Sequence, residues 1–115
     1  MTVERGDVVL VNFPNSDLTT YKARPALVVQ DTNLETGLSQ VVLTLITSNL
    51  ERTGPTRVPV TATSRQGKAM GLMSDSVVVT DALQTVRLKA IGRKLGTCPI
   101  MAEIELALRA TLGLK

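Results

Sequence analysis

Ala23-Arg24-Pro25-Ala26-Leu27-Val28-Val29-Gln30 reads as a β-strand with a cation at its mouth. The run Ala26-Leu27-Val28-Val29 is apolar and rich in β-branched valine, which suits a buried extended segment. Pro25 stands at the first strand position, where a missing backbone donor is tolerated. The same proline keeps Arg24 out of the helical region and in extended backbone. The stretch predicts a strand over Pro25–Gln30, preceded by a polar loop that runs to about Ala23.

Working outward, Val8-Val9-Leu10-Val11-Asn12-Phe13 predicts an earlier strand, closed by the turn residues Pro14-Asn15-Ser16-Asp17. Asp31-Thr32-Asn33 opens a loop after the second strand. Gln40–Thr47 is too continuously apolar to have a wet face and is predicted to be central. Arg57-Val58-Pro59-Val60 is a short strand whose internal proline marks an edge. Residues 62–75 carry little pattern. Ser76–Thr80 and the alternating Leu83–Leu88 read as two strands interrupted at Asp81-Ala82. Ala90–Thr97 is either one more short strand or a turn. At the end, Ile100, Ile104, Leu108 and Leu112 recur every fourth residue, the stripe of an amphipathic helix. Thr97 is its expected cap, Pro99 lies near its first turn, and Gly113 ends it. Many short strands and one closing helix predict a mainly β fold, a small curved barrel capped by a helix.

The chain has 115 residues, the size of one domain, and residues 1–115 are read as a single domain. Phe13 and Tyr21 are the only aromatic residues, so Val, Leu and Ile must fill the core. One cysteine, Cys98, cannot form an internal disulfide. The amino-terminal residues lack a signal-peptide pattern, and no apolar run is long enough to span a bilayer. The expectation is a cytoplasmic protein with no membrane partner. The absence of histidine rules out histidine acid–base chemistry and leaves few ligands for zinc. Any chemistry must come from Arg, Lys, Asp, Glu, Ser, Thr or Tyr.

Charge is unevenly distributed. Residues 1–51 hold three basic and six acidic side chains, whereas residues 52–94 hold eight basic and two acidic ones. A positive segment is what a polyanion such as RNA requires, and equally what a solvated surface can carry.

Three stretches and the tail together resemble the MazF/PemK family of toxin–antitoxin toxins. They are Arg5-Gly6-Asp7-Val8, the Arg24-Pro25-Ala26-Leu27-Val28-Val29 strand, Leu45-Ile46-Thr47-Ser48, and the helical tail Leu106–Leu114. Their order and spacing agree along essentially the whole chain. The resemblance implies an SH3-like barrel of the MazF/CcdB type and a homodimer. It implies metal-independent, sequence-selective cleavage of single-stranded RNA without a cofactor, and a cognate antitoxin whose extended segment covers the RNA groove. It assigns catalysis to Arg24 and Thr47.

Those residue types fit the chemistry. RNA is cut when its 2′-hydroxyl attacks the neighbouring phosphorus, a reaction that DNA cannot undergo. The guanidinium of Arg24 stays charged and offers a planar fork to phosphate oxygens. By spacing alone Arg24 would be a surface arginine in an ion pair. Thr47 can donate to a phosphate oxygen, although without the resemblance it is no better a choice than Thr44. Some members pair an acid with an arginine in the segment matching Val77 to Asp81. Here Asp81 keeps the acid, while Val79 stands where that arginine would be. Asp81 is therefore either a catalytic helper or a turn residue, and Arg24 itself is the simpler candidate for proton transfer. Glu4 and Asp7 are weaker helpers. RNA contacts are expected from Asn15, Ser16, Asp17, Tyr21, Lys22, Ser48, Asn49, Arg52 and Ser76, with Tyr21 the one ring able to stack on a base. Two other readings stand beside this one. One is a gyrase poison like CcdB on the same barrel, and the other is a catalytically silent barrel that binds RNA or a partner.

Overall fold

The valine-rich runs become strands because they can bury both of their faces. A computed structural model describes residues 2–14, 17 and 19–115. The elements are β1 (Asp7–Pro14), β2 (Tyr21–Val28), β3 (Gln40–Thr47), β4 (Arg57–Val60), α1 (Arg65–Ala69), β5 (Ser76–Arg87), a 3-10 turn (Leu88–Ala90), β6 (Ile91–Thr97) and α2 (Met101–Leu112). Six strands form one antiparallel sheet in the order β4-β5-β3-β2-β1-β6. The mainly β prediction with a closing helix holds, and β3 is central as expected. β4 and β6 are the two edges, so the ladder is open rather than closed into a barrel.

Side-chain alternation divides the core in two. Val8, Leu27, Ile46 and Val78 point to one face, where Met70 and the α2 residues Ile104 and Ala107 cover them. Val9, Val11, Ala26, Val28, Leu43 and Ile91 point to the other face and form a second core. Strands buried on both sides have no wet face, which is why their sequences show no clean alternation.

Strand boundaries differ from the sequence reading in informative ways. β2 starts at Tyr21 rather than Pro25, so Arg24 lies inside the strand and not at its mouth. Residues 21–24 are exposed and carry no apolar pattern, yet their backbone pairs with β1, Val11 facing Arg24. β2 also stops at Val28. Past that point the Gln30 side chain accepts from the Val42 amide at 3.0 Å, replacing a main-chain partner. The ladder between β2 and β3 ends at Ala26–Leu45, beside Pro25, which has no N–H to extend it.

The two strands expected on either side of Asp81-Ala82 are one twelve-residue strand, β5. Its register against β3 jumps: Leu45 faces Val79, whereas Thr44 faces Leu83. Thr80, Asp81 and Ala82 form the extra segment of a bulge, a device that bends a strand and re-aims a side chain. Thr44 is fully buried, and its hydroxyl donates to the Val79 carbonyl at this jump. Thr80 is also fully buried, and its hydroxyl lies 2.6 Å from the Thr56 carbonyl and 2.9 Å from the Thr111 hydroxyl. Asp81, the residue after Thr80, is turned outward and exposed. Thr44→Val keeps the shape and removes the hydroxyl's bond to the Val79 carbonyl. It is expected to cost roughly 1–2 kcal/mol, read as a lower urea midpoint at unchanged slope.

Residues 62–75, patternless in sequence, contain the short helix α1. Ser64 caps it, its hydroxyl accepting the Gly67 amide at 3.0 Å. Ala69 and Met70 at the end of α1 lie so close to β6 that a Cβ on Gly96 would stand 2.2 Å from the Ala69 carbonyl oxygen.

α2 begins later than its expected cap. Thr97 stays in β6, paired with Asp7, and the N-cap is Ile100, which makes no side-chain cap bond. The helix ends as expected at Gly113, in the left-handed conformation (φ 69°). A four-residue repeat drifts about 40° per step on a helix of 3.6 residues per turn. The predicted stripe therefore rotates off the core: Ile104 is 0 % exposed, Leu112 is 55 % exposed, and Ala107 takes up the buried position. Cys98, buried just before α2, has its thiol pushed up by loss of hydration.

Candidate functional site

The sheet register brings the sequence candidates together. In an antiparallel pair, residues directly opposite share a face, and so do residues two apart on one strand. Ala26 faces Leu45, so Arg24 and Thr47, each two residues further toward the same end, lie on one face. Arg24 faces Val11 across β1, and Thr47 faces Val77 across β5. Because the β2–β3 ladder has already ended, the two strands part between Arg24 and Thr47. A cation and a hydroxyl thus flank a gap in the sheet. Lys22, two residues before Arg24, is on the same side.

Arg24 is exposed and has no carboxylate partner among the described residues. Its guanidinium is available to an anion from outside, unlike a surface arginine spent on an ion pair. Thr47 is half-buried, and its Oγ1 accepts the Asn49 amide at 3.1 Å. A hydroxyl that accepts one bond still has its proton to donate. Thr44, the residue with which Thr47 was confusable, is buried and donates to Val79, so it is not available to a ligand.

The chain leaving Thr47 is shaped by its own side chains. Asn49 Oδ1 accepts from the Glu51 amide at 3.1 Å, and the Asn49 carbonyl accepts from the Arg52 amide at 3.3 Å. Ser48, Asn49 and Arg52 are all exposed on this loop. Beyond it lies a cleft of about 360 Å³ whose lining includes Arg52, Thr53, Arg57 and Val77.

Asp81 has a partner that sequence reasoning missed. Its Oδ2 accepts from Nη2 of Arg57 at 3.0 Å, and Arg57 faces Val79 in the β4–β5 register. The cation absent from position 79 is therefore supplied from the adjacent strand. The only local signal was a charged residue opening the alternating segment Arg57-Val58-Pro59-Val60.

The other candidates divide. Tyr21 is 69 % exposed and one residue out of phase with Lys22 and Arg24. Asp17 is exposed, and Oδ1 accepts the Thr19 and Thr20 amides at 3.0 and 3.2 Å. Those amides hold its carboxyl below the usual range, so it shapes the loop. Ser76 is buried, donates to the Ser74 carbonyl at 2.8 Å, and is out of phase with Val77, away from Thr47. Asn15 and Ser16 lie outside the described residues. Asp7 is buried, accepting the Glu4 amide at 2.9 Å and pairing with Lys94 at 3.2 Å, where it secures the start of β1. Among the described residues no three His, Cys, Asp or Glu side chains gather into a group able to hold a metal ion. No helix among them is long and apolar enough to cross a membrane.

Comparison with known proteins gives the following. Residues 4–112 match the family described as PemK-like, MazF-like toxin of type II toxin-antitoxin system. A search of curated sequences found no match. Among solved structures, an endoribonuclease in complex with its cognate antitoxin from a mycobacterial species is similar at 25 % identity and a TM-score of 0.74, covering 98 % of this chain and 97 % of that one. The toxin MazF-mt6 of Mycobacterium tuberculosis is similar at 26 % identity and a TM-score of 0.74, covering 95 % and 98 %. A MazE–MazF structure from Deinococcus radiodurans is similar at 21 % identity and a TM-score of 0.73, covering 100 % and 99 %, and speaks for the fold alone.

Proposed function

Because this chain belongs to the PemK-like, MazF-like toxins of type II toxin–antitoxin systems, we propose that it is an endoribonuclease that cuts single-stranded RNA between Arg24 and Thr47. The observation that carries this reading is the register: it sets a guanidinium without a partner and a half-buried hydroxyl on one face, where two strands separate. Two structural relatives at 25 and 26 % identity are an endoribonuclease and a MazF toxin, which supports the activity and disfavours a gyrase poison.

In the proposed reaction the ribose 2′-oxygen attacks the adjacent phosphorus, and the bond to the 5′-oxygen breaks. The products are a 2′,3′-cyclic phosphate and a 5′-hydroxyl. The 2′-proton leaves with the base, and a proton is returned to the 5′-oxygen. Arg24 donates two hydrogen bonds to the non-bridging oxygens, whose negative charge grows in the transition state. Thr47 donates a third and fixes the phosphate against β3. No Lewis acid enters this scheme. Asp81 is the candidate acceptor of the 2′-proton and Arg24, already protonated, the candidate donor to the 5′-oxygen; a carboxylate base gives the pH–rate profile an acidic limb that Asp81→Asn removes.

The remaining features of the proposal follow from family membership. Lys22, Tyr21, Ser48, Asn49 and Arg52, with Asn15, Ser16 and Asp17 as further candidates, contact bases and phosphates on either side, whereas buried Ser76 does not. The family's fold is the SH3-like barrel, of which this bent two-core sheet is a form whose ladder stays open, and residues 1–115 act as one toxin domain in a homodimer. A cognate antitoxin silences it, as the mycobacterial endoribonuclease has an antitoxin partner. Messenger RNA as substrate places the work in the cytoplasm.

The deciding experiment incubates pure protein with a mixed-sequence RNA in EDTA. Discrete fragments ending in a cyclic phosphate are expected, and intact RNA at high enzyme excess would overturn the reading. Thr47→Ala is expected to slow cleavage on the order of tenfold or more, the effect of losing one oriented donor. Cleavage by this variant at the wild-type rate would place the hydroxyl outside the site.

A further inference from the structure

Arg57 is a further cation on the site face, beside Arg24 and Lys22, and its surroundings are built. Thr47 faces Val77, and Arg57 faces Val79, on opposite sides of β5. Val77 and Val79 are two apart, so Thr47 and Arg57 share that face. With about 4.8 Å between neighbouring strands, β3 and β4 stand roughly 10 Å apart across β5. From β4 the arginine side chain reaches over to Asp81 of β5.

The guanidinium is held rather than loose. Nη1 donates to the Thr53 carbonyl at 3.0 Å and Nη2 donates to Asp81 at 3.0 Å. Its Nε–H is buried with no acceptor among the described residues. A guanidinium has five N–H donors, so each Nη keeps one hydrogen unspent. The side chain is a quarter exposed and borders the cleft that Arg52 and Thr53 also line. A fixed cation with two spare donors beside a cleft is suited to a phosphate. The Asp81 partner sits where the β5 bulge turns it outward, so the bulge sets the orientation of the arginine.

We propose that Arg57 is a substrate-contacting residue that binds the RNA phosphate next to the one held between Arg24 and Thr47, with Asp81 as its positioning residue. This rests on the reading of the Arg24–Thr47 face as the RNA groove. The strand would then run across the sheet from β2 over the end of β3 to β4, with an arginine on each flank.

The test measures binding of a mixed-sequence 2′-O-methyl RNA pool, which cannot be cleaved, as a function of salt. For single strands the logarithm of affinity falls with the logarithm of salt by about 0.7 per phosphate contact. Arg57→Ala is expected to weaken binding about tenfold and to reduce that slope by about 0.7. Arg57→Gln, neutral yet able to donate to Thr53, should do the same, so that a disturbed loop in the alanine variant does not decide the matter. Arg57→Lys should keep the slope. If wild type binds and the folded Gln variant retains the full slope, or if Lys loses it, Arg57 does not contact phosphate. If wild type does not bind the pool and does not cut RNA, the groove reading falls and this inference falls with it.

Discussion

Arg24→Ala is expected to lower RNA cleavage by about a thousandfold without unfolding the protein. The size follows from removing a cation from the transition state of phosphoryl displacement, where a single oriented donor is worth about a hundredfold to a thousandfold and arginines as much or more. The fold should survive because Arg24 is exposed and has no salt-bridge partner among the described residues. Substitutions at such surface positions usually change stability by less than about 0.5 kcal/mol. Arg24→Lys should recover only part of the rate, since an ammonium keeps the charge and loses the planar fork. Single-turnover cleavage of a defined RNA, with circular dichroism melts of each variant, checks both halves. A folded Arg24→Ala protein that cuts at the wild-type rate would remove Arg24 from the reaction.

Gly71→Ala is expected to destabilise the fold by roughly 3 kcal/mol, on the order of a 15 °C fall in melting temperature for a domain of this size. Two effects combine. Gly71 has φ +71°, a conformation that costs an L-residue about 1 kcal/mol, and its Cβ would lie 2.2 Å from the Leu95 carbonyl oxygen. That second contact is backbone on β6 and cannot swing aside. Relief requires α1 to back away from β6, which opens the core around Met70 and Leu72. Gly113 is the control, since it has φ +69° with nothing within 4 Å. Gly113→Ala should therefore show the backbone cost alone, about 1 kcal/mol. Equal melting losses for the two variants would mean that the α1–β6 contact has no steric role.

The candidates Arg24 and Thr47 are legible in the sequence through the family resemblance, not through spacing alone. What could not be read was their relation. That Arg24 and Thr47 share a face depends on which residue of β3 stands opposite Ala26, and a one-residue slip would separate them. Thr44 and Thr47 are equivalent in sequence, and only burial distinguishes them. Arg57 has no local mark because its partner, Asp81, is twenty-four positions away.

The sequence by itself determined the strands β1, β3 and β4, the closing helix and its glycine stop, and the family pattern that membership bears out. These are local properties: apolar runs, proline and glycine conformations, and spacing along the chain are present before any tertiary contact forms. Tertiary structure alone decided the early start of β2, the continuity of β5 through its bulge, the helix α1 and the Arg57–Asp81 pair. Each of these owes its stability to a partner distant in sequence. Exposed residues 21–24 are strand only because β1 supplies hydrogen bonds, and Thr80 to Ala82 bulge only because Thr44 and Thr56 hold the backbone on either side.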